Sequence, residues 1–149
     1  MRFTIFQDSR QGDRSGNEDR VGYTYSKDVL LMVVADGMGG HMQGEVAAEI
    51  AVTEITRLFQ QEARNRLRRP SDFLVSVINA AHRAIVSHAV AENLLESPRT
   101  TCVVCIVQGG MAYWAHAGDS RLYVLRGGKL AAATQDHSRV QQMIDSGLL

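Results

Sequence analysis

The chain has 149 residues, 45% apolar and 21% charged, a composition that suits an ordinary globular protein with one compact core. Sixteen Lys and Arg balance sixteen Asp and Glu, so no net field draws it toward nucleic acid or an anionic membrane. The start, Met1 to Asp8, lacks the long apolar run of a signal peptide, and no later stretch reads as apolar enough to span a bilayer, so a soluble, cytoplasmic protein is expected.

Residues 2–8 alternate like a strand and lead into a polar loop through Gly12, Arg14 and Gly16. Strands are expected near 20–26 and from Val29 to Ala35, the second ending at Asp36-Gly37-Met38-Gly39-Gly40-His41. Three glycines in four positions predict a tight loop with exposed backbone, opening into a helix. Ala47, Ile50, Ala51, Ile55, Leu58 and Phe59 recur at helical spacing, and Pro70-Ser71-Asp72 restarts the pattern as Leu74, Val77, Ile78, Ala81, Ile85 and Ala89. Two long amphipathic helices follow from this. The basic cluster Arg64 to Arg69 suits the C-terminal end of the first helix, where positive charge meets the helix dipole.

After Ser97-Pro98 the strand pattern returns as Thr101 to Val107, Met111 to Ala117 and Leu122 to Leu125, with Gly109-Gly110 and Gly127-Gly128 as turns. Ser138 to Leu148 predicts a short helix ending at Gly147. Strands, two helices, then hairpin-linked strands give an α+β fold with antiparallel pairing. Cys102 and Cys105 form a Cys-x-x-Cys inside an apolar strand, where their odd spacing sends them to opposite faces. They read as core residues, not as a shared metal site or a disulfide.

The chemistry-bearing residues are acidic and sit at strand ends. Asp36 brings a carboxylate from a buried strand to a loop where the Gly37 carbonyl is sterically free, a pair of oxygens suited to Mg²⁺ or Mn²⁺ better than to zinc. An isolated Asp-Gly reads first as a simple turn in which Asp starts a helix cap, so the metal reading needs the other motifs beside it. Asn17-Glu18-Asp19 adds two carboxylates before a strand, and Arg14, three residues before Asn17, has the planar fork that grips phosphate. His82, His88 and His116 read as solvated or packed side chains, and Asp136 as a turn or cap residue.

Taken together, Arg14-x-x-Asn17-Glu18-Asp19, Val34-Ala35-Asp36-Gly37-Met38-Gly39-Gly40-His41, Gly118-Asp119-Ser120-Arg121 and Asp136-His137-Ser138 resemble, in order, the successive signatures of bacterial PP2C-type (PPM) protein phosphatases. Gly44-Glu45-Val46-Ala47 and Thr100-Thr101 also fit. The resemblance implies an antiparallel β-sandwich flanked by helical hairpins and a dinuclear Mg²⁺ or Mn²⁺ hydrolase, in which activated water attacks phosphoserine or phosphothreonine in proteins. By position it implies Asp36 as the ligand bridging two ions, the Gly37 carbonyl and Glu18 as ligands to one of them, and Asp19 as the group orienting metal-bound water. Arg14 would bind the substrate phosphate, His41 would be a candidate general acid, and Asp119 would serve a third, weaker ion. Phosphoproteins opposed by a Ser/Thr kinase are the implied partners.

Complete family members continue past the Asp-His-Ser segment and bring two further metal aspartates, so the resemblance implies the N-terminal portion of such a domain. A non-catalytic phosphoprotein-binding or regulatory module on the same scaffold is the alternative. A nucleotide cradle at Gly37 to Gly40 fits poorly, because His41-Met42-Gln43 stands where a phosphate loop needs Lys and Ser or Thr.

Overall fold

The computed structural model describes residues 1–38 and 43–148. Strand β1 (Asp19–Tyr25) pairs antiparallel with β2 (Val29–Met38), and helices α1 (Gly44–Glu62) and α2 (Pro70–Ala91) follow. The chain then returns through β3 (Arg99–Thr100), β4 (Cys102–Gln108) and β5 (Met111–Ala117), and ends with the hairpin β6 (Tyr123–Arg126) and β7 (Lys129–Ala133) and helix α3 (Arg139–Asp145). The main sheet runs β1-β2-β4-β5, all antiparallel, with β3 pairing to the far end of β2. The expected α+β class and the helical hairpin are both present, and β6-β7 forms a separate small sheet.

One face of the sheet makes the core. Val29, Leu31, Val33 and Ala35 alternate inward from β2, and Cys102, Val104 and Ile106 do so from β4. Ala47, Ala48 and Ala51 let α1 lie close on that face, with Ile55 and Phe59 filling the wider space beyond. Phe59 meets Phe73 of α2 edge-to-face with ring centroids 6.2 Å apart, which joins the two helices at one end. Gly22 of β1 lies so near Val52 of α1 that a Cβ there would approach its Cγ1 to 2.7 Å. α2 is long and apolar enough, by length and composition, to cross a bilayer, contrary to the expectation that no stretch would be. Its buried residues Phe73, Leu74, Val77, Ala81, Ile85 and Ala89 recur at helical spacing and account for that apolarity as a core-facing stripe.

Three further expectations need correction. Residues 2–8 do not join a ladder; the segment runs beside β1, held by Phe3 against the Tyr25 ring and by Gln7 Nε2 donating to the Val21 carbonyl at 3.4 Å. Alternation sets which residues share a face, but a strand also needs a partner edge, and none of the described strands pairs with this segment. The basic cluster lies after α1, which ends at Glu62 with no basic residue in its last turn. Buried Ala63 and Leu67 pull the connection inward and leave the arginines between them and beyond them in the link to α2. Finally, β2 does not stop at Asp36. It continues through Gly37 and Met38, because β3 offers Thr100 and Arg99 as partners.

Both cysteines are free and buried, as expected, and desolvation pushes the Cys102 thiol up to about 12 and the Cys105 thiol up to about 11. The helix-to-helix connection is pinned by one buried side chain: the Gln108 amide accepts from Leu67 N at 2.8 Å and donates to Leu67 O at 2.9 Å. Replacing Gln108 by Ala leaves both backbone groups of Leu67 without their partner. Urea unfolding should then show a loss of about 2 kcal/mol, the cost of unmade buried hydrogen bonds; an unchanged midpoint would mean the connection is not held there.

Candidate metal and phosphate site

The β1-β2 register places Asp19 directly opposite Asp36. Like charges at paired positions of a sheet repel, so this pairing is unfavourable unless a cation or a proton intervenes. Burial first, then the Asp19 charge and its hydrogen bond, then the Asp119 charge hold the Asp36 carboxyl above its usual range, while Arg14 acts in the opposite direction. Asp19, Arg14 and the sequence-distant Asp119 therefore all act on Asp36 in space.

The surrounding backbone is held tightly. The Gly37 amide donates to the Glu18 carbonyl at 3.2 Å, and Asn17 Oδ1 accepts from the Asp19 amide at 3.0 Å. Arg20 points to the helix side, donates to the carbonyls of Asn17 and Asp19 at 2.9 Å each, and faces Glu45 and Glu49 of α1 at 3.8 and 3.9 Å. It thus ties the acidic turn to the first turns of the helix. A cavity of about 150 Å³ opens here, lined by Glu18, Asp19, Asp36 and Gly37 together with Arg10 and Arg14.

The donors fit a hard divalent ion in kind: carboxylates and a backbone carbonyl, with no thiol or imidazole among the described lining residues. They also fit in charge, since partial desolvation first, and then the neighbouring Asp19 and Asp119, raise the affinity of the Asp36 carboxyl for a positive charge. Among the described residues no group of three or more His, Cys, Asp or Glu closes into a finished cage.

The sequence model of the Protein phosphatase 2C family matches residues 7–142. The chain belongs to that family. It is 35% identical over 134 residues to the serine/threonine protein phosphatase PstP of Mycobacterium tuberculosis, covering 90% of this chain and 25% of that protein. It is 34% identical over 144 residues to the serine/threonine phosphatase stp of Listeria welshimeri, covering 95% of this chain and 57% of that protein. Among solved structures, the PstP catalytic domain in complex with two manganese ions superposes with a TM-score of 0.80 at 33% identity, covering 95% of this chain and 59% of that one. Staphylococcus aureus Stp1 superposes at 0.84 with 31% identity, covering 97% and 57%. This phosphatase 2C chain therefore spans from a quarter to just over half of the curated relatives it matches.

Of the residues singled out from sequence, Arg14, Glu18, Asp19, Asp36 and Gly37 line one cavity of the phosphatase 2C chain, and Asp119 lies near enough for its charge to act on Asp36. His41 lies outside the described residues. Asp136 is not a cap: it takes a bidentate ion pair from Arg121, with both contacts at 2.7 Å, and Ser138 is the residue that caps α3. That pairing holds the Asp136 carboxyl below its usual range. His116 stacks on His137 with ring centroids 4.2 Å apart. Sequence reasoning gave no role to Arg20, Thr101 or Ser120, whose contacts span from 1 to 65 residues in sequence. Thr100-Thr101 and Gly118-Asp119-Ser120-Arg121 were visible as motifs, but the hydroxyl contact between them was not.

Proposed function

We propose that this chain carries the Asp36 half of a metal-dependent protein Ser/Thr phosphatase centre, acting on phosphoserine and phosphothreonine in proteins phosphorylated by a Ser/Thr kinase. The observation that carries this reading is the juxtaposition of Asp36 and Asp19 in one register, with Arg14 lining the same small cavity. Asp36 and Glu18, with the Gly37 carbonyl, would hold Mg²⁺ or Mn²⁺, Asp19 would accept hydrogen bonds from water at the site, and Asp119 would serve a further, weaker position. Bound ions would supply charge stabilisation for the phosphoryl oxygens and a water acidic enough to attack. Arg14 would receive the substrate phosphate, its fork matching two phosphate oxygens, and align the ester for in-line displacement. His41 is the candidate donor of a proton to the leaving serine or threonine oxygen.

One observation favours a second reading, phosphoprotein binding without turnover: the described acidic residues do not complete a cage. Hydrolysis of a phosphothreonine peptide with Mn²⁺, with EDTA and with Arg14→Ala separates the two. Turnover that EDTA abolishes, and that Arg14→Ala lowers at least about 100-fold through loss of a charge-assisted phosphate contact, supports catalysis. Peptide binding without turnover supports the module, and hydrolysis that persists in EDTA rejects the metal-dependent reading.

A further inference from the structure

Thr101 sits at the junction of β3 and β4 with 1% of its surface exposed; its carbonyl accepts from the adjacent Thr100 hydroxyl at 2.9 Å, and its amide and hydroxyl reach distant parts of the chain. Its amide donates to the Asp36 carbonyl at 2.8 Å, and its hydroxyl accepts from the Asp36 amide at 3.1 Å. The same hydroxyl lies 2.6 Å from the Ser120 hydroxyl. A backbone hydrogen bond alone would fix the peptide of Asp36 in the sheet. The side-chain contact does something more, because it extends that attachment across to the segment carrying Asp119.

That segment is clamped on both sides of Asp119. Gly118 has φ +101, a conformation that disfavours a side chain, and a Cβ there would approach Thr101 Cγ2 to 2.7 Å. The Thr101 methyl therefore occupies the space that Gly118 leaves open, while the hydroxyl meets Asp36 and Ser120. The Gly118 carbonyl accepts from the His137 amide at 2.9 Å. On the far side, Arg121 is gripped by Asp136 through two contacts of 2.7 Å.

We propose that Thr101 and Ser120 are positioning residues, a buried hydroxyl link that sets the Asp36 backbone against the Asp119 segment and so fixes the separation of the Asp36 and Asp119 carboxylates. This inference rests on the reading of Asp36 and Asp119 as metal-site carboxylates. Neither hydroxyl touches the substrate or the reacting atoms in this role; each acts through the carboxylate it holds. Groups supporting a ligand in this way commonly govern metal affinity about 10–100-fold.

The test is Mn²⁺ binding to the full chain, followed by the loss of the free-ion electron paramagnetic resonance signal, with thermal melts confirming that each variant is folded. Thr101→Val keeps the shape and removes the hydroxyl, Thr101→Ser restores it, and Ser120→Ala removes the partner. We expect Thr101→Val and Ser120→Ala each to weaken Mn²⁺ binding about tenfold, Thr101→Ser to return it to within about twofold of the unsubstituted chain, and the double variant to lose little more than either single one, as members of one link should. A purely structural role would lower the melting temperature without this rescue and non-additivity. If the unsubstituted chain binds Mn²⁺ in an Asp36-dependent way but folded Thr101→Val and Ser120→Ala bind it equally well, the link is rejected and the metal-site reading stands. If the unsubstituted chain shows no Asp36-dependent binding, both are overturned.

Discussion

Asp36→Asn is expected to weaken Mn²⁺ binding at least about 100-fold, beyond what loss of a supporting residue costs, and to raise the melting temperature of the metal-free chain. The two effects have one origin. In the absence of a cation the Asp36 carboxylate is partly desolvated by its surroundings, although the residue reaches solvent, and it is opposed by Asp19 at the paired position and by Asp119 nearby. Asn keeps the shape, removes the charge and can still donate to Asp19. The sign of the pH dependence follows from the raised folded-state pKa. Protonation of this group favours the folded form, so its contribution is fully present below the unfolded carboxyl's value and is lost as pH rises through the higher folded value. Metal-free protein should therefore lose stability relative to Asp36→Asn as pH rises through that window, and added Mn²⁺ should stabilise only the unsubstituted chain. Melting curves at several pH values, with EDTA and with Mn²⁺, check all three statements. A metal-free Asp36→Asn chain that melts lower than the parent would show that the carboxylate is not held against repulsion, and a full Mn²⁺ shift in that variant would place the ion elsewhere.

The same residues show how far sequence reaches into this site. The apolar run before Asp36 showed a carboxylate delivered by a buried strand, and the periodicity of residues 44–91 gave both helices, because each signal is local and repeats. That Asp19 would stand opposite Asp36 depends on the register of a hairpin, which the turn between Tyr25 and Val29 sets and which composition does not state. The three glycines read as a loop, yet Gly37 stays in the ladder because a two-residue strand sixty residues later pairs with it. Residues 2–8 carried a valid alternation but found no described partner strand. The resemblance assembled Arg14, Glu18, Asp19, Asp36 and Asp119 into one list, and the structure adds what a list lacks: the opposition of like charges and the hydroxyls that hold them.

Gly37→Ala should produce the largest loss of stability of any single methyl added near this site. A Cβ at Gly37 would fall on the carbonyl group of Gly44 and within 2.8 Å of the Glu18 carbonyl oxygen, so both obstacles are backbone and neither can turn away. The contact is reciprocal: a Cβ at Gly44 would meet the Glu18 carboxylate and lie 2.9 Å from Gly37 C and Met38 N. Glycine at both positions is what allows the start of α1 to rest on the end of β2 with Glu18 between them. Replacing Gly by Ala normally stabilises by about 0.4–1 kcal/mol through the unfolded chain where the native geometry permits. Forcing backbone apart in a packed region costs about 1–3 kcal/mol and sometimes more, and here α1 would have to withdraw from a core in which Ala47, Ala48 and Ala51 are essentially unexposed. The steric cost wins, and a net loss of about 2 kcal/mol is expected. Gly16→Ala is the matching control, because nothing lies within 4 Å of that Cβ and its φ is not positive; it should be neutral or slightly stabilising. Urea denaturation of the two variants side by side decides the matter. Since Glu18 and the Gly37 carbonyl move with the displaced strand end, folded Gly37→Ala should also lose Mn²⁺ affinity, whereas Gly16→Ala keeps it. Equal stability of the two variants would mean that the helix start and the strand end are not in the close contact from which the site is built.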